Sequence, residues 1–432
     1  MKDSVVKLIR KSLPQQSIHT VEDLYRKARV HLVSARYGNP ARSLRVIGVT
    51  GTNGKTTTVN FMNEILKEAG YKTAMFSTAV IEVDGQRKIN DLNATVATTA
   101  EMQAFFLQAK RAHVDFAILE FPSHALDQHK LDTVPVELAI MTNLTQDHLD
   151  YHKTMERYAE AKGKLFAKAP KFIVLNRDDE WFDFFDTYPA ASQKITYGKH
   201  IESEAHIDKV KLYKKGTEVS LTMDHQTKID LATALPGEFN GYNMVAAAAG
   251  AYLLGLKVDD IFEGVANLEH LPGRFERIEA GQDYDIIVDY AHTPDGLEKL
   301  LQTAKEITKK RVILVFGACG DRDKGKRPIM GEIAAGLADR IILTDEENYS
   351  ENADQIRSQI YDGIEKVAGG AVKTSEVADR KDAIAKAFSI AKRGDMVLVT
   401  GLGHEQYRII DSKRMPWNDE VVIRELLTQT NE

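Results

Sequence analysis

Short apolar runs alternate with polar turns and amphipathic stretches from Arg45 onward. In the first half these runs are RVIGV, FAILE, LAIMTN and FIVLN, and in the second half they are DIIVDYA, RVILVFGA, DRIILTDE and DMVLVTG. Each run is followed by a polar turn or by a helical pattern, which is typical of parallel βαβ units. The pattern therefore predicts an α/β protein with two successive parallel sheets.

Three segments depart from this alternation. Residues 1–44 show a helical pattern that GNPARS ends, and residues 195–232 contain short alternating segments that predict an antiparallel insert. The stretch LEHLPGRFERI connects the two series of strands. We therefore predict a short helical N-terminal segment (1–44), a central domain (45–270) and a C-terminal domain (271–432).

Composition narrows the class of protein. Of the 432 residues, 43% are hydrophobic and 28% are charged, and the net charge is -6, as in a globular protein without a basic nucleic-acid surface. The single cysteine, Cys319, excludes a disulfide framework and a cysteine zinc cluster. The N-terminus lacks the apolar core of a secretion signal, and no apolar run is long enough for a membrane span. We expect a cytoplasmic monomer that acts on small molecules and has no nucleic-acid partner.

The clearest motif is GTNGKTT, between the strand-like VIGVT and a helical pattern. Glycines let the backbone turn so that several N–H groups face one anion, and the following helix N-terminus adds its positive dipole end. A lysine at this point reaches the outer phosphates, and the hydroxyl after it can ligate Mg²⁺. The full Walker A pattern needs glycine where this chain has Val49. We therefore interpret the motif as a variant phosphate-binding loop.

Candidate partners of this loop follow in the first half. FAILE ends in Glu120, where a second metal contact commonly lies beside a phosphate loop. TNLTQDHLDYH carries Asp147 and His148, and YAEAKGKLF is an amphipathic helix that at face value points its two lysines outward, Lys162 among them. On the residues alone, a surface glutamate, polar loop histidines and an exposed lysine remain open alternatives.

The second half carries polar loops directly after its strands. Arg274 lies beside a glycine turn in LPGRFERI, Asp289 near the end of IIVDYAHTPDGL, and Arg322 in the cationic loop CGDRDKGKR. GLGHEQY repeats the arrangement after the last strand. Ligands of open α/β sheets bind at these carboxyl ends. We therefore predict a cleft with nucleotide on one side and a second substrate on the other.

Together these motifs resemble the Mur ligase family, in its UDP-N-acetylmuramoyl-tripeptide synthetase branch. The matching stretches, in family order over about residues 45–410, are GVTGTNGKTTT, EFPSHAL, TNLTQDHLDYH, YAEAKGKLF, LPGEFNGYNMVAA, LPGRFERI, VDYAHTPDGL, FGACGDRDKGKRPIMGEIA and GLGHEQY. The resemblance implies a P-loop ATPase domain with a parallel sheet, followed by a Rossmann-like C-terminal α/β domain.

The resemblance also implies roles for individual residues. The ATP site it implies consists of Gly51, Thr52, Asn53, Gly54, Lys55, Thr56, Thr57, Asn243, Arg274, Asp289 and Lys326. It implies two Mg²⁺ sites, with Lys162 converted by CO₂ to a carbamate, and ligands Thr56, Glu120, His148 and Lys162. The implied catalytic groups are Lys55, Lys162, His148 and Arg274. The implied amino-acid contacts are Arg322, Asp345, Asn348, Gly401 and Glu405.

The family reaction implies an ATP-dependent ligase of peptidoglycan precursor synthesis. An acceptor carboxylate is phosphorylated by ATP, and an amino acid's amine then displaces phosphate from the acyl phosphate. The small-molecule substrates are thus ATP, an amino acid and a peptidyl or UDP-linked acceptor.

The sequence departs from the family at three points. We find no N-terminal UDP-binding domain before the first strand, no arginine in LTDEENYSENADQI where diaminopimelate enzymes have Asp-Asn-Pro-Arg, and Leu402 where the family has lysine. Diaminopimelate is therefore not the expected amino acid. The alternatives are a related ligase on another acceptor, such as a folylpolyglutamate synthase or polyamino-acid synthetase, and a non-catalytic ATP-binding subunit.

Overall fold

A computed structural model describes residues 15–90 and 97–430. The first part of the predicted N-terminal helix, residues 1–14, lies outside the described residues. Of that predicted helix, the structure shows a long segment and then a short 3₁₀ turn, Gln15–Arg36 (α1) and Pro40–Ser43. Ser34 on α1 is buried and donates its hydroxyl to the buried Gln103 (Oγ to Oε1, 3.3 Å). The helix therefore packs onto the first α/β unit.

The first α/β unit contains the phosphate loop. Its strands are Arg45–Thr50 (β1), Thr73–Phe76 (β2), Val80–Val83 (β3), Gln86–Ile89 (β4), Phe116–Glu120 (β5), Leu138–Met141 (β6), Phe172–Asn176 (β7), Gln193–Gly198 (β8), Ala205–Tyr213 (β9), Gly216–Met223 (β10) and Thr227–Thr233 (β11). Its helices are Lys55–Glu68 (α2), Thr99–Arg111 (α3), Ser123–Asp127 (α4), Leu149–His152 (α5), Met155–Phe166 (α6), Phe182–Asp186 (α7), Glu238–Leu253 (α8) and Val258–Ala266 (α9).

Among the described residues, eleven strands form this sheet in the order β11-β10-β9-β8-β7-β6-β1-β5-β2-β3-β4. Its centre is parallel, with β1 between β5 and β6, and the strands there are buried on both faces. Such strands read as continuous apolar runs because helices cover both sides. The predicted antiparallel segment is confirmed for β9, β10 and β11, which extend the same sheet at one edge.

The second α/β unit follows the same logic. Its strands are Glu276–Arg277 (β12), Asp285–Asp289 (β13), Val312–Phe316 (β14), Arg340–Leu343 (β15), Thr374–Glu376 (β16) and Met396–Thr400 (β17), followed by the hairpin Tyr407–Ile410 (β18) and Lys413–Pro416 (β19). Its helices are Pro294–Ile307 (α10), Lys326–Leu337 (α11), Ala353–Glu365 (α12), Arg380–Ile390 (α13) and Asp419–Thr430 (α14), with a 3₁₀ turn at Ala371–Lys373.

In the described part of the chain, six strands form the second sheet in the order β12-β13-β17-β14-β15-β16. Strands β13 to β17 pair with one another in parallel, and β12 pairs with β13 antiparallel. The molecule is thus the α/β protein with two parallel-rich sheets that the apolar pattern predicts. Within the described residues, no helix has the length and apolar character that crossing a membrane requires.

Candidate active site

The phosphate loop connects β1 to α2 and is shaped by two glycines. Gly51 and Gly54 have φ of +148° and +85°, where side chains are strained. A Cβ at Gly54 would lie 2.1 Å from Asn243 Oδ1, so glycine is also needed for the close approach of α8. Helix α2 begins at Lys55, and the first N–H groups of a helix have no intrahelical partners. The loop can therefore hold an anion.

Two lysines converge on one carbonyl of this loop. Lys55 Nζ donates to the carbonyls of Gly51 (2.9 Å) and Thr52 (2.6 Å), and Lys162 Nζ donates to Gly51 (2.7 Å). Burial lowers the pKa of Lys55. Burial, and then the charge of Lys55, lowers the pKa of Lys162 well below its ordinary value. A neutral amine is thus favoured at Lys162.

The amphipathic pattern of α6 predicts that both of its lysines point outward, and this prediction is wrong for Lys162. Lys162 is 1% exposed and lies over the ring of Tyr158, its Nζ 4.4 Å from the ring centroid. Lys164 is the outward lysine and pairs with Asp127 at 2.8 Å. The helical pattern gives no sign that the face carrying Lys162 packs against the phosphate loop.

A carboxylate lies at the end of β5, beside the start of α2. Glu120 Oε1 accepts from Thr56 Oγ1 and from the Thr78 amide, both at 2.8 Å. Glu120 Oε2 is buried and has no hydrogen-bond partner among the described residues. A hydroxyl beside an unsatisfied carboxylate oxygen is the hard-oxygen donor set that Mg²⁺ prefers.

The loop before α5 places an acid among cationic and imidazole groups. Asp147 is buried, 3.3 Å from both His148 Nε2 and Lys326 Nζ and 3.9 Å from His292 Nε2. Burial alone would raise the pKa of Asp147, but the charge of Lys326, together with the neighbouring His148 and His292, holds this pKa well below its usual range. The carboxylate stays ionised and holds Lys326 of the second unit against the first.

His148 precedes α5 in a left-handed conformation, with φ of +56°. Burial lowers its pKa well below the ordinary value, so its imidazole is neutral and can ligate a metal. In the described part of the chain, no group of three or more His, Cys, Asp or Glu side chains is placed to hold a metal ion. Mg²⁺ bound here would need phosphate oxygens to complete its coordination, as in many nucleotide sites.

Arg274 reaches from the second unit across the cleft. Its Nη2 donates to Thr56 Oγ1 (3.2 Å), and its guanidinium lies over the ring of Tyr290, 4.6 Å from the centroid. Its Nε is buried without a partner among the described residues. Two further bonds join the units nearby, from Asn53 Nδ2 to Asp295 (2.8 Å) and from Thr293 Oγ1 to Asn53 (3.3 Å).

A wide cavity of about 950 Å³ lies on the α8 side of the loop. Asp289 ends β13 there and accepts from the amides of Phe275 (2.7 Å) and Ala291 (2.8 Å), and burial raises its pKa. The residues of the predicted ATP site that line this cavity are Asn53, Gly54, Thr56, Thr57, Asn243, Arg274 and Asp289.

A narrower cavity of about 320 Å³ runs from the phosphate loop into the second unit. It brings together predicted residues of every role: Thr52, Lys55, Thr56, Glu120, His148, Lys162, Arg274, Arg322, Lys326, Gly401 and Glu405. Two predicted amino-acid contacts do not line it. Asn348 donates to Asp411 (2.8 Å), and Asp345 pairs with Arg357, so both side chains are engaged beside the cavity.

Sequence reasoning missed several polar groups in this cavity, among them Glu347 and Thr78. Glu347 follows β15, and the rule that ligands meet strand carboxyl ends would have found it. Thr78 lies in the turn between β2 and β3, and its backbone carbonyl accepts from His404 (Nε2 to O, 3.2 Å). No local pattern marks Thr78, because only the tertiary fold brings that turn to Glu120.

A phosphate loop, a neighbouring carboxylate and cationic residues from a second α/β unit define a P-loop nucleotide-dependent enzyme with a two-unit cleft. Residues 49–251 match the Mur ligase middle domain, and residues 273–403 match the Mur ligase, glutamate ligase domain. The chain belongs to the Mur ligase family, whose members are ATP-dependent ligases.

Individual relatives agree with this assignment. The chain is 39% identical over 407 residues to the UDP-N-acetylmuramoyl-L-alanyl-D-glutamate–2,6-diaminopimelate ligase of Geobacillus kaustophilus, covering 92% of this chain and 82% of the relative. It is 37% identical over 431 residues to an enzyme of the same name from Clostridium acetobutylicum, covering 98% and 86%.

Solved structures show the same fold. A structure of UDP-N-acetylmuramoyl-L-alanyl-D-glutamate–2,6-diaminopimelate ligase aligns with a TM-score of 0.62 at 32% identity, over 90% of this chain and 79% of that chain. A folylpolyglutamate synthase of Mycobacterium tuberculosis complexed with ADP aligns with a TM-score of 0.72 at 18% identity, over 99% and 97%. The second likeness concerns the fold alone.

Proposed function

We propose that this protein joins an amino acid to a carboxylate acceptor in peptidoglycan precursor synthesis, with ATP as the energy source. The relatives named above suggest the acceptor, UDP-N-acetylmuramoyl-L-alanyl-D-glutamate. The observation that carries the proposal is the meeting of cations from both units at one phosphate loop. Lys55 lies on the loop itself, and Arg274 of the second unit is hydrogen-bonded to Thr56.

ATP would lie with its phosphates on residues 51–57 and its nucleoside in the wide cavity. Lys55 would contact the outer phosphates, with Arg274 and Lys326 closing from the second unit. Asn243 lies against Gly54 and would contact the adenine side. Asp289 would accept from the ribose, since its carboxylate faces the same cavity.

Thr56 and Glu120 would hold one Mg²⁺, and His148 would help to hold a second. The unsatisfied Glu120 Oε2 supports the first site, and the neutral imidazole of His148 supports the other. Bound Mg²⁺ would neutralise phosphate charge during transfer.

Lys162 would react with CO₂ to form a carbamate. The lone pair of its neutral amine would attack the carbon of CO₂, so that a C–N bond forms, one C=O π bond breaks with its electron pair moving onto oxygen, and the nitrogen loses a proton to solvent. Burial makes the neutral amine available, because it disfavours the ammonium form. The product is an anion on a long arm beside Lys55, where it would serve the second Mg²⁺ site.

The reaction follows in two steps. An oxygen of the acceptor carboxylate attacks the γ-phosphorus, a C–O–P linkage forms, and the bond to ADP breaks. The amine of the amino acid then attacks the acyl carbon, a C–N bond forms, and phosphate leaves as the amine loses its proton. Lys55 and Arg274 would stabilise the transferring charge, and Arg322, Gly401 and Glu405 would orient the amino acid.

We place this reaction in the cytoplasm, where ATP and nucleotide-linked precursors are found, and expect a monomer. The test is phosphate release from ATP with Mg²⁺ and bicarbonate, with acceptors crossed against amino acids. The acceptors are UDP-N-acetylmuramoyl-L-alanyl-D-glutamate, the sugar-free dipeptide and a folate. We expect turnover with the UDP-linked acceptor. Turnover only with the dipeptide or the folate would show that the proposed acceptor is wrong and that the protein is a ligase for another acceptor. ATP binding without any turnover would contradict ligase activity.

A further inference from the structure

We propose that the cleft selects an α-amino acid whose side chain ends in an ammonium group and carries no second carboxylate, with Glu347 and Glu405 as its counter-charges. The inference rests on the proposed function, and it names the substrate class of the same cleft. The inference starts from the charged residues that line the narrower cavity. They differ between the end at the phosphate loop (the loop end) and the end in the second unit, lined by Glu347 and Glu405 (the far end).

Two carboxylates line the far end of this cavity, and both are held in place. Glu347 accepts from the Ile409 amide (2.9 Å) and from the Tyr349 hydroxyl (3.1 Å). Glu405 is hydrogen-bonded to Tyr290. Among the described residues, no lysine or arginine forms an ion pair with either carboxylate. Each oxygen has a further lone pair for a donor from a ligand.

Several other acids of the second unit are neutralised by arginine or lysine. Glu351 pairs with Arg327 and Lys324, Asp419 with Arg380, and Asp395 with Arg311. An uncompensated carboxylate in a protein interior is costly. Glu347 and Glu405 bear that cost beside the cleft, and burial together with the charge of Glu347 raises the pKa of Glu405 to about 7. A cation arriving with the substrate would relieve it.

The cations of the cavity are not placed to provide this charge. Lys55 and Lys162 lie on the Gly51 carbonyl, and Lys326 lies beside Asp147. Arg274 is bound to Thr56 at the loop end, and its charge acts on Glu405 from across the Tyr290 ring without forming an ion pair.

Arg322 is the remaining cation that lines the cavity near the acids. The charges of Arg408 and Arg414 also act on Glu347 and Glu405, but these two arginines lie outside the lining, over the rings of Trp417 and Tyr407. Arg322 stacks on Tyr349, 4.7 Å from the ring centroid, and donates to the Tyr349 hydroxyl (3.1 Å). It is therefore available for one carboxylate, the α-carboxylate of the amino acid.

Charge complementarity then defines the side chain. With Arg322 on the α-carboxylate, the carboxyl groups of Glu347 and Glu405 remain for the rest of the amino acid. A side-chain ammonium would pair with them and favour their charged forms. meso-Diaminopimelate carries this ammonium too, but its second carboxylate would face Glu347 and Glu405 without a further cation in the cavity lining. Like charges brought together in a partly desolvated site are strongly unfavourable.

The experiment measures kcat/KM for five amino acids at saturating ATP and acceptor. They are L-lysine, L-ornithine, meso-diaminopimelate, L-glutamate and L-norleucine. Norleucine is the matched control, because it has the length of lysine without the terminal ammonium. We expect lysine or ornithine to exceed norleucine, glutamate and diaminopimelate by at least about 100-fold in kcat/KM.

A substitution at Glu347 tests whether this residue causes the preference for lysine. Glu347→Gln keeps the shape and the acceptor for the Ile409 amide but removes the charge. It should raise the KM for lysine about 30-fold and leave the KM for norleucine within about twofold. The kcat for both and the Kd of ATP should not change. The control is Glu376→Gln, at a half-exposed carboxylate on β16 that pairs with Arg357. It should leave kcat/KM for both lysine and norleucine unchanged. A thermal melt of each variant confirms folding.

The outcomes separate this inference from the proposed function. Turnover of diaminopimelate equal to that of lysine, or an equal loss for lysine and norleucine in Glu347→Gln, would overturn the selectivity and leave the ligase intact. Absence of turnover with every amino acid, although ATP binds, would overturn the ligase and the inference with it.

Discussion

The two ends of the narrower cavity contain ionisable groups of opposite sign. At the loop end, Lys55 and Lys162 crowd one carbonyl, and burial lowers the pKa of both. At the far end, Glu347 and Glu405 lie together, and burial raises the pKa of both. One end carries basic groups whose charged form burial disfavours, and the other carries acidic groups whose charged form burial disfavours.

This difference indicates how the cleft is divided between its ligands. Buried groups of one sign are destabilising unless a ligand of the other sign joins them. The loop end is arranged for phosphates, and the far end for an ammonium. The cleft is therefore incomplete without its substrates, and removing a group at either end should affect only the ligand that end serves.

The largest expected effect comes from Lys162 at the loop end. Lys162→Ala should lower kcat about 1,000-fold, because it removes both the nitrogen that CO₂ modifies and the charge that the carbamate provides. Added short-chain carboxylic acids should restore part of kcat by placing a carboxylate in the vacated space. Phosphate release with and without added acetate or propionate checks this result.

Helix α6 offers a matched control for that substitution. Lys164→Ala, two residues further on, removes an outward lysine that pairs with Asp127 and should leave kcat within about twofold, since exposed ion pairs contribute little. Equal losses in the two variants, or an unmodified Lys162 in a mass spectrum of the active enzyme under bicarbonate, would count against the carbamate.

The next largest effect concerns the arginine that reaches across the cleft. Arg274→Ala should lower kcat about 100-fold, because it removes a charge from the transferring phosphate and a bond to Thr56. Single-turnover phosphate release measures the chemical step directly. Arg277→Ala, whose guanidinium pairs with Asp285 and donates to the Lys214 carbonyl, is the control and should retain kcat. If Arg274→Ala raises KM and leaves kcat unchanged, this arginine contributes to substrate binding and not to phosphate transfer.

The same contrast explains what the sequence alone could predict. The loop end is encoded locally, since a strand, two glycines, a lysine and a helix start lie in one stretch, and the apolar runs predict both sheets. Burial of Lys162 could not be derived from its helix, because an amphipathic pattern does not show what packs against each face. Glu405 lies far from Glu347 and Tyr349 in sequence, and only the second sheet and the β18–β19 hairpin bring the three to one cavity.

The smallest expected effect is a pH dependence at the far end. The pKa of Glu405 is about 7, raised by burial and by Glu347, and lowered in part by Arg274, Arg414 and the Tyr290 hydrogen bond. A carboxyl group with a raised pKa is neutral below that pH and charged above it. The ratio of kcat/KM for lysine to that for norleucine should therefore rise about tenfold between about pH 6 and pH 8.

Taking the ratio cancels the ionisation of the attacking α-amine, which both amino acids share, while the side-chain ammonium of lysine stays charged throughout this range. Glu405→Gln should make the ratio independent of pH. Glu347→Gln should move the transition to lower pH, because it removes a neighbouring negative charge that disfavours ionisation of Glu405. A ratio that is flat in the wild-type protein would show that Glu405 does not meet the ammonium. A transition unmoved by Glu347→Gln would show that the two carboxylates do not act together.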